Sequence, residues 1–227
     1  MKKKPLVILD FDGTLAPIVS DPENARIDAE NLENLQKVSK EAKVAILTGR
    51  PASFVKRQVG PKIRVLGLHG NKTDAMDQGI EGLKKRAIRL FGKNQGVVEE
   101  KPLGFALHYR NAPTLKRSLA RFAKTAGKGI RVLKGRKAFE FLPASVRVKA
   151  ETLESIVKRN PKRRVLFIGD DNSDLEGILR MQKYPNFTGV LVKSREVSPK
   201  GAKTISRSEL FSFIENFISG NPNEEKA

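Results

Sequence analysis

The stretch Val7 to Pro17 reads VILDFDGTLAP: a short apolar run that ends in two aspartates one residue apart. A run of this length followed at once by carboxylates predicts a buried strand, Pro5 to Asp10, whose end is turned toward something polar. Like charges this close raise each other's pKa. A chain that keeps both Asp10 and Asp12 there needs positive charge nearby.

The following segments constrain the fold. Asp28 predicts a helix cap before Leu32, Leu35 and Val38, a stripe we read as core packing. Val44 to Leu47 predicts a second strand, Pro51 the start of a helix through Val59, and Ile63 to Leu68 a third strand. Strand and helix alternating in this way predict a parallel sheet. From Met76 to Ala144 the pattern changes. It predicts helices Ile80–Phe91 and Thr114–Ala126, with strands at 96–101, 104–109, 129–133 and 138–142 in antiparallel pairs. The parallel pattern then resumes with helix Ala150–Lys158, strand Arg164–Ile168, helix Leu175–Gln182, strand Gly189–Val192 and helix Ser208–Ile218. We therefore expect an α/β core interrupted by a smaller α+β insert: core 1–75, insert 76–144, core 145–227. The tail from Asn221 is polar and expected to fray.

With 227 residues and 39% hydrophobic content the chain can bury a sizeable core. It has no cysteine, which excludes disulfides and thiol nucleophiles. Its apolar runs are too short to span a bilayer, and the run after Lys2-Lys3-Lys4 is too short for a signal peptide. The expectation is a cytoplasmic protein with no membrane partner, acting as a monomer. The net charge is +19, and residues 76–144 hold 16 Lys and Arg against 5 Asp and Glu. A surplus of this kind suits a solvated surface, an anionic substrate such as a phosphate ester, or nucleic acid. The cations are scattered, aromatic content is 6%, and no known RNA- or DNA-binding spacing occurs. Nucleic acid is therefore not expected as the principal ligand.

Ligands of parallel α/β sheets bind beyond the carboxyl ends of the strands. The candidate groups at those ends are Asp10 and Asp12, Thr48 and Arg50, His69, and Asp170, Asp171 and Asp174. Several carboxylates in one crevice call for a cation, and hard oxygen ligands without a His or Cys cluster favour Mg²⁺. Thr48, Lys149 and the backbone amides of the Asp12-Gly13-Thr14 turn offer donors for an anion. Together these are parts for phosphoryl transfer, with an aspartate as nucleophile and a second as proton carrier. Blander roles are open for each: Thr48, Asp171 or Asp174 as helix caps, Lys149 as one more surface lysine, the histidines as structural hydrogen-bonders.

Four strings resemble, in order, the motifs of the haloacid dehalogenase superfamily: Asp10-Phe11-Asp12-Gly13-Thr14-Leu15, Leu47-Thr48-Gly49-Arg50, Lys149, and Gly169-Asp170-Asp171-Asn172-Ser173-Asp174. The resemblance implies a Rossmann-like parallel-sheet hydrolase core with an inserted α+β cap. It also implies Asp10 as nucleophile and Asp12 as general acid and base. Mg²⁺ would be held by Asp10, the Asp12 carbonyl and Asp170, supported by Asp171 or Asp174, while Thr48 and Lys149 bind phosphate.

A narrower resemblance, carried by DFDGTLAPI, TGRP, Gly67-Leu68-His69-Gly70, Glu99-Glu100-Lys101-Pro102, His108-Tyr109-Arg110, the segment 135–143 and GDDNSD, is to the trehalose 6-phosphate phosphatases. It implies hydrolysis of a phosphorylated sugar, most directly trehalose 6-phosphate in trehalose biosynthesis. Glu99, Lys101 and Glu140 stand at sugar-contacting positions, and His69, His108 and Arg110 at further motif positions. The chain departs from that pattern at Gly104, where Ser is usual, at Leu142, where Arg is usual, at Lys149-Ala150, and at Ser173-Asp174-Leu175. Gly104 and Leu142 keep two other activities open, sucrose-phosphate and mannosyl-phosphoglycerate phosphatase. The charge keeps open a basic nucleic-acid- or partner-binding protein on an inactive phosphatase scaffold.

Overall fold

The structure is a computed structural model and describes residues 3–19, 21–71, 78–92, 96–135, 137–194 and 197–220. Two compact units result, Met1–Gly70 with Val148–Ala227, and Asn71–Arg147. The expected boundary at 75/76 and the tail from Asn221 lie outside the described residues.

The first unit is a three-layer α/β/α core. Its six-stranded parallel sheet has the order β10-β9-β8-β1-β2-β3. The strands are β1 (Leu6–Leu9), β2 (Lys43–Leu47), β3 (Arg64–Leu66), β8 (Val165–Gly169), β9 (Phe187–Val192) and β10 (Lys203–Ile205). β1 lies between β2 and β8, so the chain winds one way to β2 and β3 and the other way to β8, β9 and β10. Such a reversal leaves a crevice at the carboxyl ends of the central strands.

Period-two side-chain alternation divides the core between two helical layers. Val7 and Leu9 pack with Ile46, Leu166 and Ile168 under α1 (Ala29–Glu41), α2 (Ala52–Val59) and α7 (Leu210–Ser219). Ile8 packs with Leu47, Val165 and Phe167 under α5 (Lys149–Arg159) and α6 (Asn172–Met181). Covered on both faces, β1 and β8 can be apolar throughout, and each such side chain contributes about 1.5–3 kcal/mol of transfer free energy.

The caps follow the sequence. Asp28 accepts from Asn31 N at 2.7 Å and starts α1. Asp171 accepts from Asp174 N at 2.8 Å and starts α6. Thr48 caps nothing, because α2 starts at Ala52, directly after Pro51, without a side-chain cap.

β3 is shorter than expected and ends at Leu66. A Cβ on Gly67 would lie 2.3 Å from Ala52 N, so the chain passes too close to α2 for a side chain. Leu68 and His69 then turn with φ of 50° and 56°. β10 was not expected. It is three residues long at the sheet edge, too short for an alternation pattern to show.

The second unit, 71–147, pairs β4 (Val98–Lys101), β5 (Gly104–His108), β7 (Ala138–Pro143) and β6 (Ile130–Gly135) in that antiparallel order. Its ends are tied together: Asn71 Oδ1 accepts from Arg147 N at 3.0 Å and Asn71 Nδ2 donates to Arg147 O at 2.9 Å. One sheet face carries Phe105, Leu107 and Phe141. They pack under α3 (Gln78–Phe91) and α4 (Lys116–Ala123) through Ile80, Ala87, Phe91, Leu119 and Phe122. α4 begins later than expected because Pro113–Leu115 forms a 3₁₀ turn.

Candidate active site

The strand ends of β1, β2 and β8 bring the candidate residues of the core together. Lys149, the first residue of α5, is 4% exposed and donates to Asp10 Oδ1 and Asp174 Oδ1, both at 2.8 Å. A lysine at a helix N-terminus faces the positive end of the helix dipole; two buried carboxylates offset that here. Burial works against its charge, but Asp10 and Asp174 outweigh it and hold its pKa well above the usual lysine range.

Asp174 is fully buried, and its other oxygen accepts from the amides of Asp170 and Asp171 at 3.0 and 3.1 Å. A Cβ on Gly169 would lie 2.2 Å from the Asp174 carboxyl carbon, so only glycine lets that carboxylate come so close. Asp171 is spent on the cap of α6. Burial would raise its pKa, but Lys149, the Ser173 hydroxyl and the Asp174 amide hold it below the usual range.

Asp10, Asp170 and Asp174 each present a carboxylate oxygen within 4.8 Å of the others, all buried. Burial raises the Asp10 pKa to about 7, against the pull of Lys149. Burial, with Asp174 and Asp171 close by, raises Asp170 to about 7. Asp174 also lies well above the carboxylate range, chiefly through burial. One lysine does not balance these carboxylates.

A divalent cation fits the deficit. Both Asp174 oxygens already accept hydrogen bonds, which leaves Asp10 and Asp170 as the carboxylates with oxygens to offer. Opposite Asp170 the backbone is Gly13, with φ of 80°, where a Cβ would lie 2.0 Å from Asp170 Oδ2. Thr14 Oγ1 approaches Asp170 Oδ1 at 3.5 Å. Hard oxygen donors of this kind suit Mg²⁺ or a similar cation.

The Asp12 side chain lies outside the carboxylate cluster. Arg50 holds it at both oxygens, Nε to Oδ2 and Nη2 to Oδ1, each at 2.7 Å. Thr48 is 1% exposed, and its hydroxyl oxygen accepts from Arg50 N at 3.2 Å, so its own proton remains to be donated.

His69 sits beside this turn. Its amide donates to Thr48 O at 2.8 Å and its carbonyl accepts from Thr152 Oγ1 at 2.6 Å. A Cβ on Gly49 would lie 3.1 Å from the imidazole. His69 thus ties β2 to α5 within the core unit.

The remaining candidates belong to the second unit. The register aligns Glu99, Ala106, Glu140 and Leu133 across its four strands, so they share one sheet face, the one turned away from α3 and α4. Lys101, His108, Leu142 and Arg131, two residues along their strands, share it too. Glu99 Oε2 meets His108 Nε2 at 2.6 Å and Lys101 Nζ at 3.4 Å. The His108 hydrogen bond lowers the Glu99 pKa, burial opposes it, and Lys101 adds to the lowering. Arg110 follows β5 and is exposed.

Three supporting residues were not among the candidates. Arg207 donates to Thr14 O and Leu15 O at 3.2 and 2.9 Å. Asn31 donates to Leu15 O at 3.1 Å, and Ser194 to Asp170 O at 3.2 Å. They pin the turn after β1 and the end of β8 from distant parts of the chain, and no local signal marks them. Arg50 did carry a signal, its place inside TGR, but nothing in the string names Asp12 as its partner.

A parallel core reversing at β1, with aspartates after β1 and β8, a threonine after β2 and a lysine opening α5, is the arrangement that the resemblance to the haloacid dehalogenase superfamily implies. The chain is similar to trehalose phosphatases. The trehalose-phosphatase family model matches residues 8–81. The chain is 33% identical over 216 residues to the trehalose-phosphate phosphatase of Mycobacterium ulcerans, covering 85% of this chain and 55% of that protein. It is 34% identical over 195 residues to that of Mycobacterium tuberculosis strain H37Rv, covering 76% and 50%. The chain spans about half the length of the curated relatives it matches. Its fold is similar to the C-terminal domain of Candida albicans trehalose-6-phosphate phosphatase, with a TM-score of 0.70, 20% identity, and coverage of 95% of this chain and 91% of that one.

Proposed function

We propose that this chain is a Mg²⁺-dependent phosphatase that hydrolyses a phosphorylated sugar, trehalose 6-phosphate, through an aspartyl-phosphate. The observation that carries the reading is Lys149 bridging Asp10 and Asp174 beside Asp170, which orients Asp10 as a buried, charge-supported nucleophile. Relatives named trehalose-phosphate phosphatase support the substrate.

An Asp10 oxygen forms a bond to phosphorus while the bond from phosphorus to the sugar oxygen breaks. Asp12 gives the departing oxygen its proton, then takes one from the water that cleaves the acyl phosphate. Thr48 and Lys149 hold phosphoryl oxygens. A divalent cation held by Asp10 and Asp170, with the Asp12 carbonyl, supplies positive charge for the transferring oxygens when bound. Asp174 and Asp171 hold the lysine and the turn in place. On the second unit, Glu99, Lys101, His108, Glu140 and Arg110 offer donors and acceptors for sugar hydroxyls. His69 acts from within the core by supporting Thr48. A sugar phosphate is charged and does not cross a bilayer unaided, which is why we assign the work to the cytoplasm; we take the working form to be a monomer.

The test is phosphate release from trehalose 6-phosphate, sucrose 6-phosphate, glucose 6-phosphate and an aryl phosphate, with Mg²⁺ and with EDTA, for the native chain and Asp10→Asn. We expect a preference for trehalose 6-phosphate in kcat/KM, loss in EDTA and no turnover by Asp10→Asn. Preference for another sugar phosphate would overturn the substrate. Turnover by Asp10→Asn would overturn the covalent step.

A further inference from the structure

In the sequence the cations of the second unit are scattered. The fold gathers them. The helical face, opposite the sheet face that carries Glu99 and Glu140, shows Lys85, Arg86 and Arg89 from α3 and Arg117, Arg121 and Lys124 from α4 and its end, all exposed. At 3.6 residues per turn each trio forms a stripe on the outer side of its helix. The helices lie side by side: Arg86 covers the Phe122 ring at 5.4 Å, and Phe91 meets Phe122 edge-on at 5.6 Å.

Among the described residues no carboxylate is ion-paired with these stripes. The sequence has no Asp or Glu between Glu100 and Glu140. On the helical side Glu81 and Glu100 are both taken by the buried Lys84, at 2.9 and 2.8 Å. Among the described residues none of the six cations has an ion-pair partner.

We propose that this face binds duplex DNA through its backbone phosphates, without reading sequence. The chemistry selects among polyanions. Arginine and lysine in rows match a regular line of phosphates. Among the described residues no exposed aromatic ring lies among the six cations, so nothing stacks the bases of a single strand. The exposed apolar side chains Ile88 and Leu90 fall on opposite flanks of α3, so there is no continuous apolar stripe to enter a lipid surface. A protein partner would call for an aromatic or apolar centre, whereas Ile88 and Leu90 stand on the flanks of α3. None of the six cations is among the residues assigned to phosphate hydrolysis, so the two readings stand or fall independently.

The test is anisotropy of a fluorescein-labelled DNA duplex titrated with the full chain between about 50 and 200 mM salt. With six phosphates contacted, log K should fall against log salt with a slope near −5, a loss of roughly a thousandfold over that range. Arg117→Gln/Arg121→Gln/Lys124→Gln should reduce the slope by about 3. Lys40→Gln/Lys43→Gln/Lys62→Gln removes the same charge from the core unit and should leave it near the native value. Native circular dichroism of both variants confirms folding. Equal weakening by both variants would overturn the face and leave only overall charge. So would no binding of DNA, tighter binding of single strands or RNA duplex than of DNA duplex, or binding only to vesicles of anionic lipid.

Discussion

Arg50 grips Asp12 at both carboxylate oxygens, 2.7 Å each, while its guanidinium lies over the Phe54 ring at 4.4 Å. The ring fixes the plane of the fork and the fork fixes the carboxylate, so the residue proposed to carry the proton is aimed from α2. Arg50→Ala should lower kcat by about ten- to a hundredfold through misplacement, with little change in KM. Arg50→Lys should not restore it, since an ammonium cannot form the two-point contact. Steady-state kinetics checks this; native kcat in Arg50→Ala would remove the positioning role.

Lys149→Ala leaves Asp10 and Asp174 buried without their shared cation. Removing one partner from a buried charge pair costs about 3–5 kcal/mol. We expect that loss in chemical denaturation with EDTA, and a partial recovery with Mg²⁺. Equal stability of the variant and the native chain in EDTA would show that the lysine does not hold the carboxylates.

Gly104 stands where Ser is usual in the resembling family. A Cβ there would lie 1.9 Å from Phe141 O across the sheet. Gly104→Ser should therefore destabilise the second unit by about 1–3 kcal/mol rather than supply a missing sugar contact. Thermal unfolding and KM for the sugar phosphate, measured together, separate the two outcomes.

Glu154 is 9% exposed and joins α5 to α6. Tyr184 Oη donates to it at 2.9 Å, Arg180 Nη2 at 2.6 Å, and Lys158 and Lys183 stand at 3.2 and 3.4 Å. The tyrosine hydrogen bond leads the causes that lower its pKa to about 2. A folded pKa below the unfolded value of roughly 4.3 means stability that is complete above that value and is lost as pH falls toward 2. Glu154→Gln should cost about 1–2 kcal/mol near neutral pH, and the gap from the native chain should narrow by about pH 3. A gap that stays constant with pH would assign the effect to packing.

Much of the core was legible because its strands report themselves. Apolar runs of four or five residues such as Leu6–Leu9 and Val165–Gly169 make sense only when covered on both faces, and a polar residue at the end of each marks the rim. Asp28 and the Asp171–Asp174 pair announce their helices by the same local chemistry that caps them. The departures also have local causes that no pattern carries. β3 stops at Leu66 because the backbone of α2 crosses Gly67, and β10 is an edge strand of three residues.

Local order along the chain, set by side-chain period and capping chemistry, was enough to define a parallel α/β core with an α+β insert and to bring forward the aspartates, threonine and lysine at its strand ends. Partnership was decided only by the tertiary structure. Lys149 reaches Asp10 across 139 positions of sequence, Arg50 reaches Asp12 across 38, and Arg207 holds the Thr14 and Leu15 carbonyls from 193 and 192 positions away. Burial then sets what each charge does; the sheet register puts Glu99 and Glu140 on one face, and the packing of α3 and α4 puts the basic stripes on the other. Hydrogen bonds and charge interactions act over a few ångströms, and only the folded backbone makes residues so far apart in sequence neighbours at that scale.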